Sequence, residues 1–390
     1  MVSVGLLMFF ILLAISKYHF EDLGQLSRRL DRTSEELQKR IHENTGDENE
    51  LKAILSSMVE GVIVIDKNDR IVILTEAMAD MLELRSQQAV GKPYWEIIRH
   101  DEINTLIRDA LMNKTAVRRE LSVIFPKETY FSMQISPILS EHRELAGIVA
   151  VFHDITEIKS LEKIRSEFVA NASHELKTPL TSIKGFVETL QDADLNDKST
   201  TKRFLDIIYT HTKRLENLVN DLLSLSAIES KEAKFHLEPS DVGLVIENIV
   251  HLYKSKLESK KHLFTLDLPA AIPQVVMDSR KMEEVFSNLL DNAIKFTPQG
   301  GTISIRVYEE AEFLRVDVQD SGIGIPPEHL SRIFERFYRV DRVRSREMGG
   351  TGLGLAIVKH ILLRHNRKVA VQSEPQKGST FSVFLPKHVG

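Results

Sequence analysis

Apolar residues recur along this chain with more than one period, and each change of period marks a change of architecture. From about residue 51 the period is two. Val62 and Val64, then Ile71 and Ile73, form short β-branched runs around Lys67-Asn68-Asp69-Arg70, a hairpin signal. Helical stretches are expected around Glu76 to Leu84 and Ile97 to Met112. Strands are expected at Arg118 to Phe125, Tyr130 to Leu139 and Leu145 to His153. Two strands, helices and a three-strand meander predict a small α/β sensor-like domain over 51–157 in a multidomain α+β chain.

From about Glu157 to Ala227 the pattern turns helical. Phe204, Ile208, His211, Leu215, Leu218, Leu222 and Leu225 alternate steps of four and three, a heptad seam with one polar member. Leu161, Ile164, Phe168, Ala172, Leu176, Ile183, Val187 and Leu190 share one broad face of the preceding helix, and the polar turn Asp192 to Thr200 separates the two. An antiparallel helical hairpin over 158–230 cannot bury both faces alone. Two hairpins in a dimeric four-helix bundle can, which predicts a homodimer. Alternation returns at Ile303, Ile305 and Val307 and at Leu314, Val316 and Val318, with helices expected at Asp241 to Ser259, Lys281 to Phe296 and Thr351 to Arg364. That mixture predicts an α/β sandwich over 235–388.

Ahead of these lies Met1 to Ser16, which carries no charge. As a helix it reaches roughly 24 Å, and extension to Phe20, with Lys17 snorkelling and Tyr18 at the interface, brings it near the ~30 Å hydrocarbon core. A transmembrane anchor over 1–20 is expected; a signal peptide, which would want a basic n-region and a small-residue cleavage site, and the end of a longer span are the alternatives. Lys17, Arg28 and Arg29 flank the inner side, which puts the remaining domains in the cytoplasm and the protein at the cell membrane. Over 21–50, Leu23, Leu26, Leu30 and Leu37 occupy heptad positions, with Thr33 between. This stretch is either a two-stranded signalling helix or a solvated linker, broken at Asn44-Thr45-Gly46-Asp47.

Composition narrows the chemistry. The 51 Lys and Arg against 56 Asp and Glu leave a net charge of −5, so no broad nucleic-acid footprint is expected. The chain has no cysteine, which excludes disulfides, thiolate metal sites and iron–sulfur clusters. His100, His142 and His153 lack metal-ligand spacing, and Trp95 is expected to serve packing.

Candidate chemistry begins at FVANASHELKTPLTSIKGF, Phe168 to Phe186. A neutral imidazole attacks phosphorus competently if a neighbour takes its second proton. Glu175 is adjacent to His174 and is the candidate to orient the ring through Nδ1, so that Nε2 attacks. Pro179 removes a helix hydrogen bond and predicts a kink just past the histidine. Asn288, Asn292 and Lys295 fall at i, i+4 and i+7 on one helical face, which suggests a polar ligand. Asparagine oxygen suits a hard ion such as Mg²⁺. Asp320 ends a strand ahead of Gly322 and Gly324; a carboxylate there can accept from an exocyclic amine while the glycines admit a flat ring. Gly350-Thr351-Gly352-Leu353-Gly354-Leu355 opens a helix whose N–H groups can cradle phosphates. The Arg-rich run Arg336 to Met348 between them suits a lid, with Arg336, Arg339 and Arg342 as phosphate partners.

Taken in order, these segments resemble the boxes of sensor histidine kinases. His174-Glu175-Leu176-Lys177-Thr178-Pro179-Leu180 resembles the phospho-acceptor H-box. Asn288 to Phe296 (NLLDNAIKF) resembles the N-box, Asp320 to Ile325 (DSGIGI) the first glycine box, Phe334 to Arg339 (FERFYR) the F-box, and Gly350 to Leu355 the second glycine box. Ile54 to Asp66 and Val151 to Lys159 resemble the start and end of a PAS domain, and the run from Val151 to Phe186 is similar to the phosphate-responsive branch of PAS-containing kinases. The resemblance implies a GHKL-type ATP-binding domain. It implies ATP-dependent autophosphorylation of His174, phosphotransfer to an aspartate on a response regulator receiver domain, and a phosphatase activity toward that partner in which Thr178 orients water. It also implies roles: Asn292 as Mg²⁺ ligand with Asn288 beside it, Lys295 on phosphate, Asp320 on adenine N6, and Phe296, Gly322, Gly324, Arg336, Arg339, Gly350, Thr351, Gly352, Leu353 and Gly354 around the nucleotide. An ATPase of the same superfamily would lack the H-box, and a non-catalytic signalling scaffold would have lost the Asn, Asp or Gly residues.

Overall fold

The computed structural model describes residues 58–81, 89–124, 128–192, 198–230, 234–341 and 350–387, with residues 32, 35 and 36 ahead of them. The expected anchor over 1–20, almost all of the linker over 21–50, and Arg342 to Met348 lie outside the described residues. The chain divides into two compact units, one ending at Arg165 and the other starting at Ser166.

In the first unit, β1 (Gly61–Asp66) and β2 (Ile71–Leu74) form the expected hairpin, with Ile63 opposite Leu74. Its turn is built by Asp66, whose Oδ1 accepts from the N–H groups of Asn68 and Arg70 at 2.8 and 2.9 Å. Asp69 adopts φ 65°, a conformation that Asp and Asn tolerate better than most residues. Helices α1 (Glu76–Met81), α2 (Tyr94–Ile97) and α3 (Asp101–Asn113) follow, then β3 (Val117–Ile124), β4 (Glu128–Leu139) and β5 (Leu145–Asp154). His100 caps α3, its Nδ1 accepting from Ile103 N. The antiparallel sheet has the order β2-β1-β5-β4-β3. Ile63, Ile65, Met133, Ile135 and Ile148 share a core with Ile103 and Ile107 of α3. Val62, Val64, Val149 and Val151 are buried on the opposite face. Burial on both faces is why GVIVID is apolar almost throughout.

Helix α4 (Thr156–Asp192) begins within the first unit and continues into the second, where α5 (Lys198–Glu229) completes the helical hairpin. Pro179, where the sequence suggests a kink, lies inside α4. The heptad seam of α5 divides its work. Phe204 meets Phe186 of α4, ring centroids 5.4 Å apart. Leu218 and Leu225 instead join the core of the domain that follows, against α9. That half of the seam was expected to face a second hairpin; a partner within the same chain covers it.

That domain comprises β6 (Glu238–Ser240), α6 (Val242–Ser259), β7 (Leu263–Asp267), β8 (Val275–Met277), α7 (Ser279–Phe296), β9 (Thr302–Glu309), β10 (Phe313–Asp320), α8 (Pro327–Leu330), α9 (Gly354–Arg364), β11 (Lys368–Glu374) and β12 (Gly378–Pro386). Asp241 and Asp278 cap α6 and α7, accepting from Gly243 N at 2.7 Å and Lys281 N at 3.1 Å. The main sheet runs β11-β12-β10-β9-β7; β7 is parallel to β9 and the other pairs are antiparallel. Val285, Phe286 and Leu289 of α7 bury against Ile305, Val316 and Val383 of the sheet. Full burial of such side chains stabilises by about 1.5–3 kcal/mol each. Helix α9 starts at Gly354, later than the expected Thr351, because Gly352 sits at φ 77°, outside the helical region.

Candidate active site

A cavity of about 330 Å³ opens between α7, the end of β10, the turn before α9, and α5 of the hairpin. Central strand β10 delivers Asp320 to its edge. The side chain is 8% exposed, and its Oδ1 accepts from Gly322 N at 2.7 Å. Burial pushes the Asp320 carboxyl up, while the N–H groups of Gly322 and Ser379 favour the ionised form.

Helix α7 presents Asn288, Asn292, Lys295 and Phe296 to the same space. Asn288 donates to Glu284 O at 2.9 Å, which turns its amide oxygen toward the start of α9. A Cβ on Gly354 would stand 2.6 Å from that oxygen, so a larger residue there would have to displace the Asn288 side chain. Asn292 makes no side-chain hydrogen bond among the described residues. Lys295 pairs with Asp291 at 2.6 Å, and Lys256 reaches the same carboxylate at 3.1 Å. Burial alone would raise the Asp291 carboxyl, but the two lysines hold it below its usual value.

Gly324, Gly350, Thr351, Gly352, Gly354 and Arg339 also line the cavity. Three of the expected nucleotide residues do not. Leu353 is fully buried in the core, with its N–H on Thr351 Oγ1. Gly322 serves the Asp320 turn. Arg336 pairs with Glu229 of α5 at 2.5 Å and stacks over Phe168 of α4, so its charge is spent on the hairpin. Arg339 lines the cavity, yet its Nη2 donates to Glu175.

His174 stands exposed on α4, and Thr178 Oγ1 donates to its carbonyl at 3.0 Å. The His174 ring makes no hydrogen bond among the described residues. The expected Glu175–His174 contact is replaced: Glu175 Oε2 accepts from both Arg214 and Arg339 at 3.0 Å, with its side chain 12% exposed. Two guanidinium groups outcompete one imidazole for that carboxylate.

Sequence reasoning missed Asn217, Asn220 and Asp221 of α5, which line the cavity from the hairpin side. Their signal was a cluster of short polar residues beside a heptad seam, and nothing in it tells a solvated face from a site wall. Ser379 and Phe381 of β12 were missed for want of any motif.

Three segments match known family descriptions: a PAS fold over residues 49–155, a His Kinase A (phospho-acceptor) domain over 164–231, and a Histidine kinase-, DNA gyrase B-, and HSP90-like ATPase over 277–389. The chain is 34% identical over 374 residues to the phosphate regulon sensor protein PhoR of Pseudomonas aeruginosa, covering 95% of this chain and 80% of that protein. It is 33% identical over 375 residues to the sensor histidine kinase WalK of Bacillus subtilis, covering 95% of this chain and 61% of WalK, so it spans about three-fifths of that relative. Among solved structures it is similar to histidine kinase ThkA, determined in complex with response regulator protein TrrA, with a TM-score of 0.49 and 25% identity over 84% of this chain and 96% of that one.

Proposed function

Because the chain belongs to the sensor histidine kinases, we propose that it binds ATP in the cavity beside α7, phosphorylates His174, and passes the phosphoryl group to an aspartate of a response regulator receiver domain. The observation that carries this reading is the convergence of Asn288, Asn292, Lys295, Asp320 and the Gly350–Gly354 turn on one cavity, in the unit that also holds His174. Asp320, held at the end of β10 by its hydrogen bond from Gly322 N, accepts from the adenine amine. The turn before α9 offers N–H groups and a helix N-terminus to phosphate. Asn292, with no competing hydrogen bond among the described residues, would hold Mg²⁺ through its side-chain oxygen, with Asn288 beside it. When bound, Mg²⁺ supplies charge neutralisation across the transferred phosphoryl.

In the transfer, a bond forms from His174 Nε2 to the terminal phosphorus, the bond to the bridging oxygen breaks, and ADP leaves. The ring's Nδ1 proton goes to a carboxylate. For Glu175 to accept it, its carboxylate must turn from Arg214 and Arg339 toward the His174 ring. Thr178, one turn on, orients water during dephosphorylation of the partner.

We further propose a single N-terminal span over 1–20 with the kinase domains cytoplasmic, supported by the uncharged run Met1 to Ser16 and by Lys17, Arg28 and Arg29. Among the described residues no helix is long and apolar enough to cross a membrane. Homodimerisation through the hairpin is supported by Leu180 on α4 and Leu205, Tyr209 and Leu223 on α5, all more than half exposed in a single chain.

Incubation with radiolabelled ATP tests the central reading. The label should be acid-labile and alkali-stable, as a phosphoramidate is, and absent from His174→Gln. Acid-stable label, or full labelling of His174→Gln, would overturn it.

A further inference from the structure

The hairpin contributes an acid to the cavity proposed for nucleotide. Asp221 of α5 lines the same space as Asn288, Lys295 and Gly350. Its Oδ2 accepts from Thr351 Oγ1 at 2.6 Å, and that oxygen in turn accepts from Leu353 N at 3.3 Å. A carboxylate is therefore seated at the glycine-rich turn assigned to phosphate.

The neighbouring acids differ in their partners. Asp291 is paired with Lys295 and Lys256, and Glu284 with Lys281 at 2.8 Å. Asp221 has a neutral hydroxyl, and it forms no ion pair among the described residues. Burial pushes its carboxyl up, the Thr351 hydrogen bond and Lys295 oppose that, and Glu284 and Asp291 add to the rise. Asp221 and Asp291 both line the space and present like charge to any anion entering it, but of the two only Asp221 arrives from the hairpin.

We propose that Asp221 is a positioning residue that sets nucleotide affinity: while it holds Thr351 it repels the triphosphate, so that ATP and the Asp221–Thr351 contact exclude one another. This rests on the reading of the cavity as the ATP site. The penalty grows with phosphate charge, so ATP is disfavoured more than ADP, and adenosine is indifferent. Coupling is reciprocal: whatever the contact takes from ATP affinity, ATP takes from the docking of hairpin and nucleotide domain. The rival role, Asp221 as an additional Mg²⁺ ligand, has the opposite sign.

The experiment is equilibrium binding of ATP, ADP and adenosine to the full chain and to Asp221→Asn, each with Mg²⁺ and in chelator. The substitution keeps size and an acceptor oxygen but removes the charge. It should tighten ATP about tenfold, the scale of one unit charge roughly 12 Å away at an effective dielectric near 20, tighten ADP less, and leave adenosine unchanged, with the ATP gain persisting in chelator. Equal or weaker ATP binding by Asp221→Asn overturns the proposal, and weakening only with Mg²⁺ would make Asp221 a metal ligand instead. Failure of the unsubstituted chain to bind any of the three would instead remove the ATP-site reading. A second measurement does not depend on the variant folding. Because the chain lacks cysteine, spin labels on cysteines replacing the exposed Lys213 and Lys377 report the hairpin-to-domain distance without background. A non-hydrolysable ATP analogue should broaden or lengthen that distance where adenosine does not; identical distributions would overturn the proposal.

Discussion

Glu175 and Arg339 are 164 residues apart in sequence and meet at 3.0 Å, joining the residue beside the proposed phospho-acceptor to the segment that lines the cavity proposed for nucleotide. The Arg339 side chain is 5% exposed and that of Glu175 12%, so solvent screens the pair little. Arg339→Ala should cost about 1.5–3 kcal/mol, the range for a hydrogen bond to a charged group, rather than more, because Arg214 still satisfies Glu175. Urea unfolding of the fragment from Ser166 onward, compared across Arg339→Ala, Glu175→Gln and the double variant, measures it. A coupling below about 0.5 kcal/mol would mean the contact does not hold the domains together.

Asn292→Asp preserves size but sets a negative charge where phosphate and metal are proposed to meet. Autophosphorylation should fall by at least tenfold, about 1.4 kcal/mol of transition-state stabilisation. His174→Gln should abolish labelling with nucleotide binding intact. Mixed heterodimers of the two variants then report geometry: label on the Asn292→Asp subunit means transfer between subunits, and a dead mixture means transfer within one. Normal autophosphorylation by the Asn292→Asp homodimer would show that this face of α7 is not the metal–nucleotide site.

His365 ties acid sensitivity to the nucleotide domain. It is 3% exposed; its Nε2 accepts from Asp278 N at 3.1 Å, and Nδ1 lies 2.8 Å from Ile361 O. This arrangement uses the neutral ring, and burial lowers its pKa below 6.5, against smaller opposing contributions from Ile361 and Asp278. Below pH 6.5 the unfolded chain binds the extra proton first. The contribution to stability is therefore complete above about pH 6.5, falls as pH drops toward the folded pKa, and levels off beneath it. Thermal melts should show a smaller loss between pH 7.5 and 5 in His365→Gln than in the parent. Equal losses would show that His365 is not responsible.

Gly324 combines φ 67° with a backbone contact: a Cβ there would stand 1.9 Å from Glu374 O. Gly324→Ala must move β11 or the turn. Strain of this kind costs about 1–3 kcal/mol before any clash is relieved. Denaturant midpoints of the isolated second unit test this, and an unchanged midpoint would show that the turn yields freely.

Local chemistry made much of this legible. The alternation of β9 and β10 fixes those elements within a few residues, because it depends on immediate neighbours. The helix face from Asn288 to Lys295 was readable for the same reason. What escaped depends on residues far apart in sequence. Nothing near Arg336 tells that it will meet Glu229, and nothing near Asp221 that it will meet Thr351. Likewise the seam of α5 looks uniform, while its upper part meets α4 and its lower part α9.

The apolar character of β1 on both faces has a consequence for alignment errors. Ordinarily a strand displaced by one residue exposes its greasy side and pays at once in hydration, which is what disciplines pairing. Displacing Val62-Ile63-Val64-Ile65 by one exchanges one branched aliphatic side chain for another. The discipline must then come from the hairpin tip. There Asp66 clasps two N–H groups and Asp69 takes its left-handed turn, so a lesion at these two polar residues would scramble a strand whose own composition gives no warning.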